Sequence, residues 1–406
     1  MTIDRAAVLS WYQRNRDRSR ALFDMLPEDA YYRRPIDLRH PVVFYDGHLP
    51  GFSFNTLVKK ALGRPGIDAR LEALFARGID PPSPLRGFGE TGPRAAGSPP
   101  RRGGEAAEAW PDRETVRAFV DEADARVVDA LRNDELDAEP VFTILEHESM
   151  HQETLLYMWH RLSFEQKKRP SNYRPVTEGR VPDDEWIDIP AGRATLGADR
   201  ASLTFGWDNE MPRYEVDVPA FAIQKHDITN ARYMEWVEAG ASPPLFWERV
   251  DGAWFWRGMF ELIPLPLSWP VYVSQAEAAA YARSRGCRLP TEAEYQRAAA
   301  DASPGLCDFS SWDPEPAGSH PAGASRYGVE DLVGNGWEWT STPFAPFPGF
   351  RASASYPEYS ADFFDGEHFV MKGASVATAR ELVRPTFRNW FRPRYPYVYA
   401  TFRCVK

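Results

Sequence analysis

The spacing of apolar and polar positions changes near residue 184 and divides the chain into two parts. In the first part, apolar residues recur every three or four positions among charged ones, which is typical of helices with one buried face. Four main helices of this kind predict a bundle, in whose core inward side chains can hold a metal ion. The predicted helices cover 4–24, 47–63 and 111–132, with a short one over 68–78 and a last one that includes 145–162 and ends near Phe164.

Beyond Asp184 the apolar runs become short and are separated by Gly, Pro, Asp and Asn. Short helices are expected after Thr229 and Ser274, whose hydroxyl groups suit the N-cap position. This part is therefore predicted to be a mixed α+β domain with much irregular structure. Alternation predicts a strand, with apolar positions Val216, Val218, Phe221 and Ile223.

The predicted domains are a helical bundle at 1–170 and the mixed domain at 184–406. Within the bundle, residues 87–109 are rich in Gly, Pro, Arg and Ala and contain almost nothing that a core would bury. We expect this segment to be an exposed, mobile insertion.

Net charge and cysteine content indicate which classes of ligand and which kinds of cysteine site the chain is expected to lack. The 406 residues carry a formal net charge of -10, which argues against a nucleic-acid partner, because a phosphate backbone is held by surplus Lys and Arg. Small-molecule ligands are expected instead. The three cysteines lack a C-x-x-C spacing, so neither a disulfide framework nor a cysteine zinc site is indicated. Without a signal-like start or a run of about 18 apolar residues, a cytoplasmic protein with no membrane partner is expected.

The stretch HESMHQE at 147–153 carries the strongest chemical signal. A helix brings His147 and His151 to the face that also carries the apolar residues, so we expect a metal site; the alternative is a polar helix packed under the second domain. His48, among aromatic residues at the predicted start of a helix, is a candidate third ligand, whereas His40 is expected outside. Three imidazoles leave room for iron(II) to bind oxygen and substrate, although zinc is also compatible.

The same letters match the H-E-x-x-H of zinc proteases. A metzincin requires Gly and His where Thr154 and Tyr157 stand. A thermolysin-like enzyme requires a downstream Glu on a helix, but Glu165 precedes a basic, proline-containing linker. The protease hypothesis is therefore disfavoured, and Glu148 is expected to be an ordinary polar residue off the metal face.

Four longer motifs resemble the ergothioneine sulfoxide synthase family (EgtB). They are HESMHQE, RLPTEAEYQRAAA, DLVGNGWEWTSTPF and RPTFRNWFRPRYPYVYATFRC, and with their flanks the resemblance covers nearly the whole chain. It implies a DinB-like four-helix bundle followed by a formylglycine-generating-enzyme (C-type-lectin-like) domain. It also implies an enzyme that uses iron(II), Fe(2+), and O2 to join a thiol, cysteine or gamma-glutamylcysteine, to the imidazole of hercynine (N-alpha-trimethylhistidine), giving a sulfoxide.

Residue by residue, the resemblance implies that His48, His147 and His151 are the iron ligands. It places Asn389 and Trp390 at the pocket for the betaine, where an amide suits a carboxylate and an aromatic face suits a quaternary ammonium.

A tyrosine that donates a proton during the oxygen chemistry is also implied, with Tyr356 and Tyr359 as candidates. We prefer Tyr356; the alternative for both is aromatic packing of a long loop. Arg388 and Arg392, with the neighbouring Arg394, are able to meet substrate carboxylates. Their alternative role is ordinary surface charge.

Two departures from the family pattern leave the substrates open. Met150 stands where the family often has Gln, which removes one hydrogen bond to the substrate imidazole. Phe391 stands where some members have Asp, which weakens the case for gamma-glutamylcysteine. An OvoA-like histidine/cysteine enzyme, a selenoneine synthase and a DinB-like metal protein that is non-catalytic or transfers thiols remain alternatives.

The second domain resembles an enzyme that works through paired cysteines, yet only Cys404 lies in the expected C-terminal region. We therefore interpret the domain as a lid that shapes the substrate site over the metal. A structural Ca(2+) near DLVGNGWEW is one explanation of that motif, and packing around Trp337 and Trp339 is the other.

Overall fold

The computed structural model describes residues 3–76 and 110–406 and divides into two compact units. The first unit contains Met1–Met25 and Glu135–Lys406, and the second contains Leu26–Asp134. The predicted insertion at 87–109 lies outside the described residues, and the domain limits at 170 and 184 stay a prediction. Among the described helices, none has the length and apolar content that crossing a membrane would need.

Helices form the N-terminal part of the chain, as the apolar spacing predicts. Asp4 caps the first helix by accepting hydrogen bonds from the backbone N–H groups of Ala6 and Ala7. Asp112 caps the fifth helix by accepting a hydrogen bond from the backbone N–H of Thr115. The α-helices are α1 (Arg5–Asp24), α2 (Glu28–Tyr31), α3 (Val42–Ser53), α4 (Ala69–Leu74), α5 (Arg113–Asn133) and α6 (Ala138–Arg161).

In the second unit, α3 begins five residues before the predicted start at 47 and continues as a π-helix, Phe54–Ala61. Its early start follows from the apolar run Val42–Tyr45, whose side chains are all buried. Gly47 allows a close approach, because a Cβ there would lie 2.5 Å from the ring of Phe75. That ring also lies 5.7 Å from the ring of Phe119 on α5, so the glycine lets aromatic side chains pack between α3 and α5.

The C-terminal part consists of short strands and helices. The predicted strand over 216–223 is two strands, because Pro219 cannot donate a ladder hydrogen bond and the chain changes sheet there. Thr229 and Ser274 cap helices as predicted. The helices are α7 (Asn230–Glu238), α8 (Gln275–Ser284), α9 (Glu292–Ala298) and α10 (Glu358–Ala361). The strands are β1 (Trp186–Ile189), β2 (Gly192–Leu196), β3 (Tyr214–Val218), β4 (Phe221–Gln224), β5 (Trp247–Val250), β6 (Ala253–Arg257), β7 (Leu262–Pro264), β8 (Gly336–Pro343), β9 (Phe369–Ala374), β10 (Asn389–Phe391) and β11 (Ala400–Thr401).

These strands form small sheets in the first unit. β1 pairs with β4, β2 with β3, and β5–β6–β7 form a meander, all antiparallel. The four-stranded sheet has the order β10-β9-β8-β11, in which only the β8–β11 pair is parallel. A core beneath β1–β4 is built from Ile189, Ala194, Val218, Phe221, Ile223, Tyr295, Ala298, Val329, Leu332 and Val405.

A buried carboxylate of α6 binds strand β8 and the turn that follows β9. Glu153 accepts hydrogen bonds from the indole N–H of Trp337 (2.8 Å) and the hydroxyl groups of Ser375 (2.6 Å) and Thr378 (2.9 Å). These contacts lie within the first unit. The helix that carries HESMHQE is therefore held by the C-terminal part of the chain.

The motif DLVGNGWEW is accounted for by packing and an internal ion pair. Glu338 binds the guanidinium of Arg403 at 2.7 Å, and both side chains are fully buried. The indole N–H of Trp339 donates to the carbonyl of Val273 at 2.9 Å. Since Glu338 is already neutralised, the packing explanation suffices and we do not propose calcium here.

Candidate functional site

Two imidazoles lie together on α6. His147 and His151 are one helical turn apart, and their ring centroids are separated by 4.5 Å at an interplanar angle of 62°. His147 is buried and His151 is half-buried. Neighbouring imidazoles on one helical face are a frequent starting point for a metal site.

The glutamate between these histidines has a different role from the one predicted. Glu148 is fully buried, and its carboxylate accepts from the guanidinium of Arg16 (2.7 Å) and the hydroxyl of Ser19 (2.6 Å) on α1. The prediction that Glu148 is an ordinary polar residue is therefore wrong, because its carboxylate is buried and paired with Arg16. The carboxylate fixes α1 against α6, which also removes it as the general base of a protease.

His48 lies buried on α3 in the second unit. Its Nδ1 is 2.7 Å from the carbonyl oxygen of Phe75. Because a carbonyl can only accept, Nδ1 carries the proton and Nε2 carries the lone pair. A metal-bound histidine typically donates its second N–H in this way. Burial lowers the pKa of His48 to about 4, so the ring is a neutral nitrogen donor at pH 7.

The candidate tyrosines lie on a segment at 353–360, named here the tyrosine segment. The ring of Tyr356 is half-buried, and its centroid is 6.2 Å from that of His147. Tyr359 is buried and stacks on Trp207 at 3.8 Å. Its hydroxyl donates to the thioether sulfur of Met150 at 3.2 Å. Tyr359 is thus engaged in packing, whereas Tyr356 lies beside the histidine pair.

Burial raises the pKa of Tyr359 well above its ordinary value, and nearby carboxylates such as Glu210 add to this. The phenol therefore stays protonated and acts as a hydrogen-bond donor at neutral pH. Met150 lies between His147 and His151 in the sequence of α6, and the hydrogen bond from Tyr359 fixes the position of its sulfur.

The structure connects Trp390 to the tyrosine segment. Trp390 on β10 is half-buried, stacks on Phe344 at 4.1 Å and meets the ring of Tyr359 edge-on at 5.2 Å. The side-chain oxygen of Asn389 accepts from the backbone N–H of Trp390 at 2.9 Å. Met150, Tyr359 and Trp390 therefore form one continuous set of contacts.

Arg388 and Arg392, two of the three arginines predicted to meet substrate carboxylates, differ sharply in exposure. Arg388 is only 2% exposed; its guanidinium binds Glu292 at 2.9 and 3.1 Å and also donates to two backbone carbonyls. The prediction that Arg388 binds a substrate carboxylate is therefore wrong, because its guanidinium is already paired with Glu292 inside the protein. The alternative of surface charge is wrong as well, because the side chain is buried. The side chain of Arg392 is 58% exposed and lies 4.0 Å from Glu367.

Sequence reasoning missed the residues that fix these groups. Trp207 and Phe75 contribute a stacking surface and a carbonyl from distant points of the chain. Such contacts join residues far apart in sequence, and neither periodicity nor motif spacing reports them.

The chain matches two family models. The model of the sulfatase-modifying factor enzyme 1-like domain matches residues 173–306 and 305–406, which together are more than half of the chain. The DinB superfamily model matches residues 12–162.

Three curated proteins are similar to the chain over long stretches. Hercynine oxygenase from Mycolicibacterium thermoresistibile is 33% identical, over 71% of this chain and 74% of its own length. Ergothioneine biosynthesis protein 1 from Schizosaccharomyces pombe is 28% identical over 94% of this chain, which spans only 54% of that longer protein. Formylglycine-generating enzyme from Mycobacterium tuberculosis is 28% identical over 54% of this chain and 97% of its own length.

Proposed function

The chain belongs to the hercynine oxygenase family of ergothioneine biosynthesis, and from that membership we propose that it uses iron(II) and O2 to join a thiol to the imidazole of hercynine. The predicted resemblance is confirmed, and so is the fold class of a DinB-like helical part followed by a formylglycine-generating-enzyme-like part. The single observation that carries the proposal is the histidine pair of α6 with Tyr356 beside it.

We propose His48, His147 and His151 as the metal ligands. The donor set fits such a role, because His48 is a neutral ring whose protonated Nδ1 is held by a backbone carbonyl. Two imidazoles one turn apart supply the remaining donors. Iron(II) bound by three nitrogen ligands would supply a redox-active centre with positions open to O2 and substrates.

The proposed reaction balances without an external reductant. One thiol S–H bond and one imidazole C–H bond break, and a C–S bond and an S–O bond form. O2 accepts four electrons, two from forming the C–S bond and two from oxidising the sulfur. One oxygen atom enters the sulfoxide, and the other leaves as water with the two hydrogens. Holding both substrates in one site makes the coupling intramolecular in effect.

Trp390 and Asn389 are the proposed contacts for the betaine end of hercynine. A partly exposed indole offers a π face to a trimethylammonium group, and the Asn389 amide is a suitable donor to a carboxylate. The contact of Trp390 with Tyr359 supports a pocket next to the tyrosine segment.

Tyr356 is the proposed proton donor. Its ring lies beside His147, and a phenol in this position can hold or deliver a proton to an oxygen atom near the histidines. Tyr359 is less suited, because its hydroxyl already donates to Met150. Met150 has no N–H to offer the substrate imidazole, so ring recognition must rest on other groups.

The test is anaerobic loading of the full chain with iron(II), followed by hercynine, cysteine and O2. We expect oxygen uptake and a product with a new carbon–sulfur bond, detected by mass spectrometry. Histidine, gamma-glutamylcysteine and a selenium donor run in parallel assign the substrate branch. Tight iron binding with no oxygen uptake and no product would instead indicate a non-catalytic metal protein.

A further inference from the structure

Glu139, at the start of α6, accepts hydrogen bonds from the first three residues of the tyrosine segment. One oxygen of Glu139 accepts from the hydroxyl of Ser353 (2.8 Å) and from the backbone N–H groups of Ala354 (3.0 Å) and Ser355 (3.1 Å). Its other oxygen binds Arg200 at 2.7 Å. Two backbone N–H groups and one hydroxyl from three consecutive residues converge on the carboxylate, which offers only acceptors.

A second carboxylate, that of Asp208, binds both ends of the same segment. Asp208, which is buried, accepts from the backbone N–H of Ser353 at 3.2 Å and from the hydroxyl of Ser360. Asn209 donates to that Ser360 hydroxyl at 2.9 Å. Between these ends, the backbone N–H of Tyr356 donates to the hydroxyl of Ser353 at 3.2 Å. The backbone around Tyr356 is therefore anchored at both ends and once within.

Glu139 and His147 belong to the same helix, so the rigid backbone of α6 sets the distance between them. They are eight positions apart in the chain, which corresponds to about 12 Å along the axis. A group that is fastened to Glu139 is thereby placed relative to His147 without any further contact. This is how an irregular loop can present a side chain with the accuracy that catalysis needs.

We propose that Glu139 is a positioning residue of the oxygen chemistry: it holds the backbone of 353–355 and so presents the phenol of Tyr356 to the metal side of α6. The inference rests on the proposed function, in which Tyr356 donates the proton. It adds a residue outside the set of ligands and substrate contacts. Substituting Glu139 should therefore free the tyrosine segment while leaving His147 and His151 in place.

Three variants of the full chain test the proposal: Glu139→Ala, Glu139→Gln and Arg200→Ala. Amide hydrogen exchange of the metal-free protein measures order in 353–360, with β9 as an internal reference. In Glu139→Ala we expect exchange of this segment to accelerate roughly tenfold, because charged acceptors are lost. In the iron-loaded protein we expect product to shift from sulfoxide toward thiol oxidised without a carbon–sulfur bond.

The other two variants separate positioning from surface charge. Glu139→Gln retains an oxygen acceptor for the three donors, so exchange and product ratio should return close to those of the wild type. Arg200→Ala removes the exposed ion-pair partner and should change neither readout. Wild-type exchange or a wild-type product ratio in Glu139→Ala overturns the proposal, as does an Arg200→Ala variant that reproduces the Glu139→Ala defect.

Failure of the proposed function gives a different result. If the wild-type chain forms no sulfoxide from any substrate pair, that function is wrong and Glu139 has no oxygen chemistry to position. The exchange experiment on metal-free protein still reports whether Glu139 orders the segment. If Glu139→Ala does not fold, Ser353→Ala takes its place, because it removes the hydroxyl that donates to Glu139 and accepts from the backbone N–H of Tyr356. Faster exchange of 353–360 and a lower share of sulfoxide are then expected, and wild-type values of both would overturn the proposal.

Discussion

The histidines and the glutamates of α6 use the same helix in opposite ways. His147 and His151 lie against each other, with an aromatic ring of the tyrosine segment nearby. Glu148 and Glu153 are buried too, but each accepts from two or more donors that belong to other elements. The glutamate set, Glu148 and Glu153, thus fixes the helix, while the histidine set, His147 and His151, is the one proposed to bind the metal.

This difference shows how a reactive pair can be kept in place. Buried charges are costly unless they are paired and hydrogen-bonded, so the anchoring glutamates hold α6 in a single position against α1 and the sheet. Held in this way, the imidazoles would need little reorganisation to act as the metal ligands proposed above. Substitutions in the two sets should therefore separate cleanly into losses of activity and losses of stability.

The largest effect is expected from the histidine set. His151→Ala should lose metal and reduce sulfoxide formation by at least about a thousandfold, since the proposed reaction depends on a bound ion, while the unfolding free energy of the metal-free protein changes little. Metal content by elemental analysis and product formation measure this. His320→Ala, which alters a half-exposed histidine paired with Glu315, is the control. Wild-type metal content in His151→Ala would refute the ligand assignment.

The glutamate set should fail in stability first. Glu148→Ala leaves the buried guanidinium of Arg16 without its carboxylate, which should cost about 3–5 kcal/mol in unfolding free energy. Urea denaturation of the metal-free protein measures the loss. Glu122→Ala removes an exposed partner of Arg126 and should change stability by less than about 1 kcal/mol. Equal effects of the two substitutions would contradict the structural role of Glu148.

The sequence allowed the histidine set to be predicted better than the glutamate set. The i, i+4 spacing of His147 and His151 on an apolar face is a local property, and a helix converts it directly into shared direction. The role of Glu148 depends on Arg16 of α1, more than a hundred residues away. Nothing in the helical pattern distinguishes a glutamate that meets water from one that meets a buried arginine.

The same limit applies to the C-terminal part. Caps at Thr229 and Ser274 were predictable because they act within one turn. Arg388 and Arg392 look alike in sequence, yet one is enclosed around Glu292 and the other is exposed. Only tertiary packing separates them, which is why the assignment of Arg388 failed.

The tyrosines give an intermediate effect that sharpens the comparison. Tyr356→Phe should retain metal but reduce sulfoxide formation by about a hundredfold, because a proton donor is removed, with the thiol oxidised instead. Tyr359→Phe removes only the hydrogen bond to Met150 and should lower the rate a few-fold. Iron content, O2 consumption and product ratio measure the difference. Equal losses in the two variants would show that Tyr356 has no special position.

The smallest effect is expected at Arg392, which tests whether exposure marks a substrate contact in this part of the chain. Its side chain is 58% exposed, and its carboxylate neighbour Glu367 lies at 4.0 Å, so Arg392→Ala should change the unfolding free energy by less than about 1 kcal/mol. If the guanidinium meets the carboxylate of the thiol substrate, KM for that thiol should rise by about two- to fivefold while kcat stays constant, because the contact acts equally on ground state and transition state. Arg388→Ala is the opposite case, since it leaves Glu292 buried without its partner and should destabilise the fold before any KM is measured. An unchanged KM for every thiol in Arg392→Ala would remove Arg392 as a substrate contact, and the selectivity for the thiol would then have to come from Arg394, which is also exposed, or from groups around Tyr359 and Trp390.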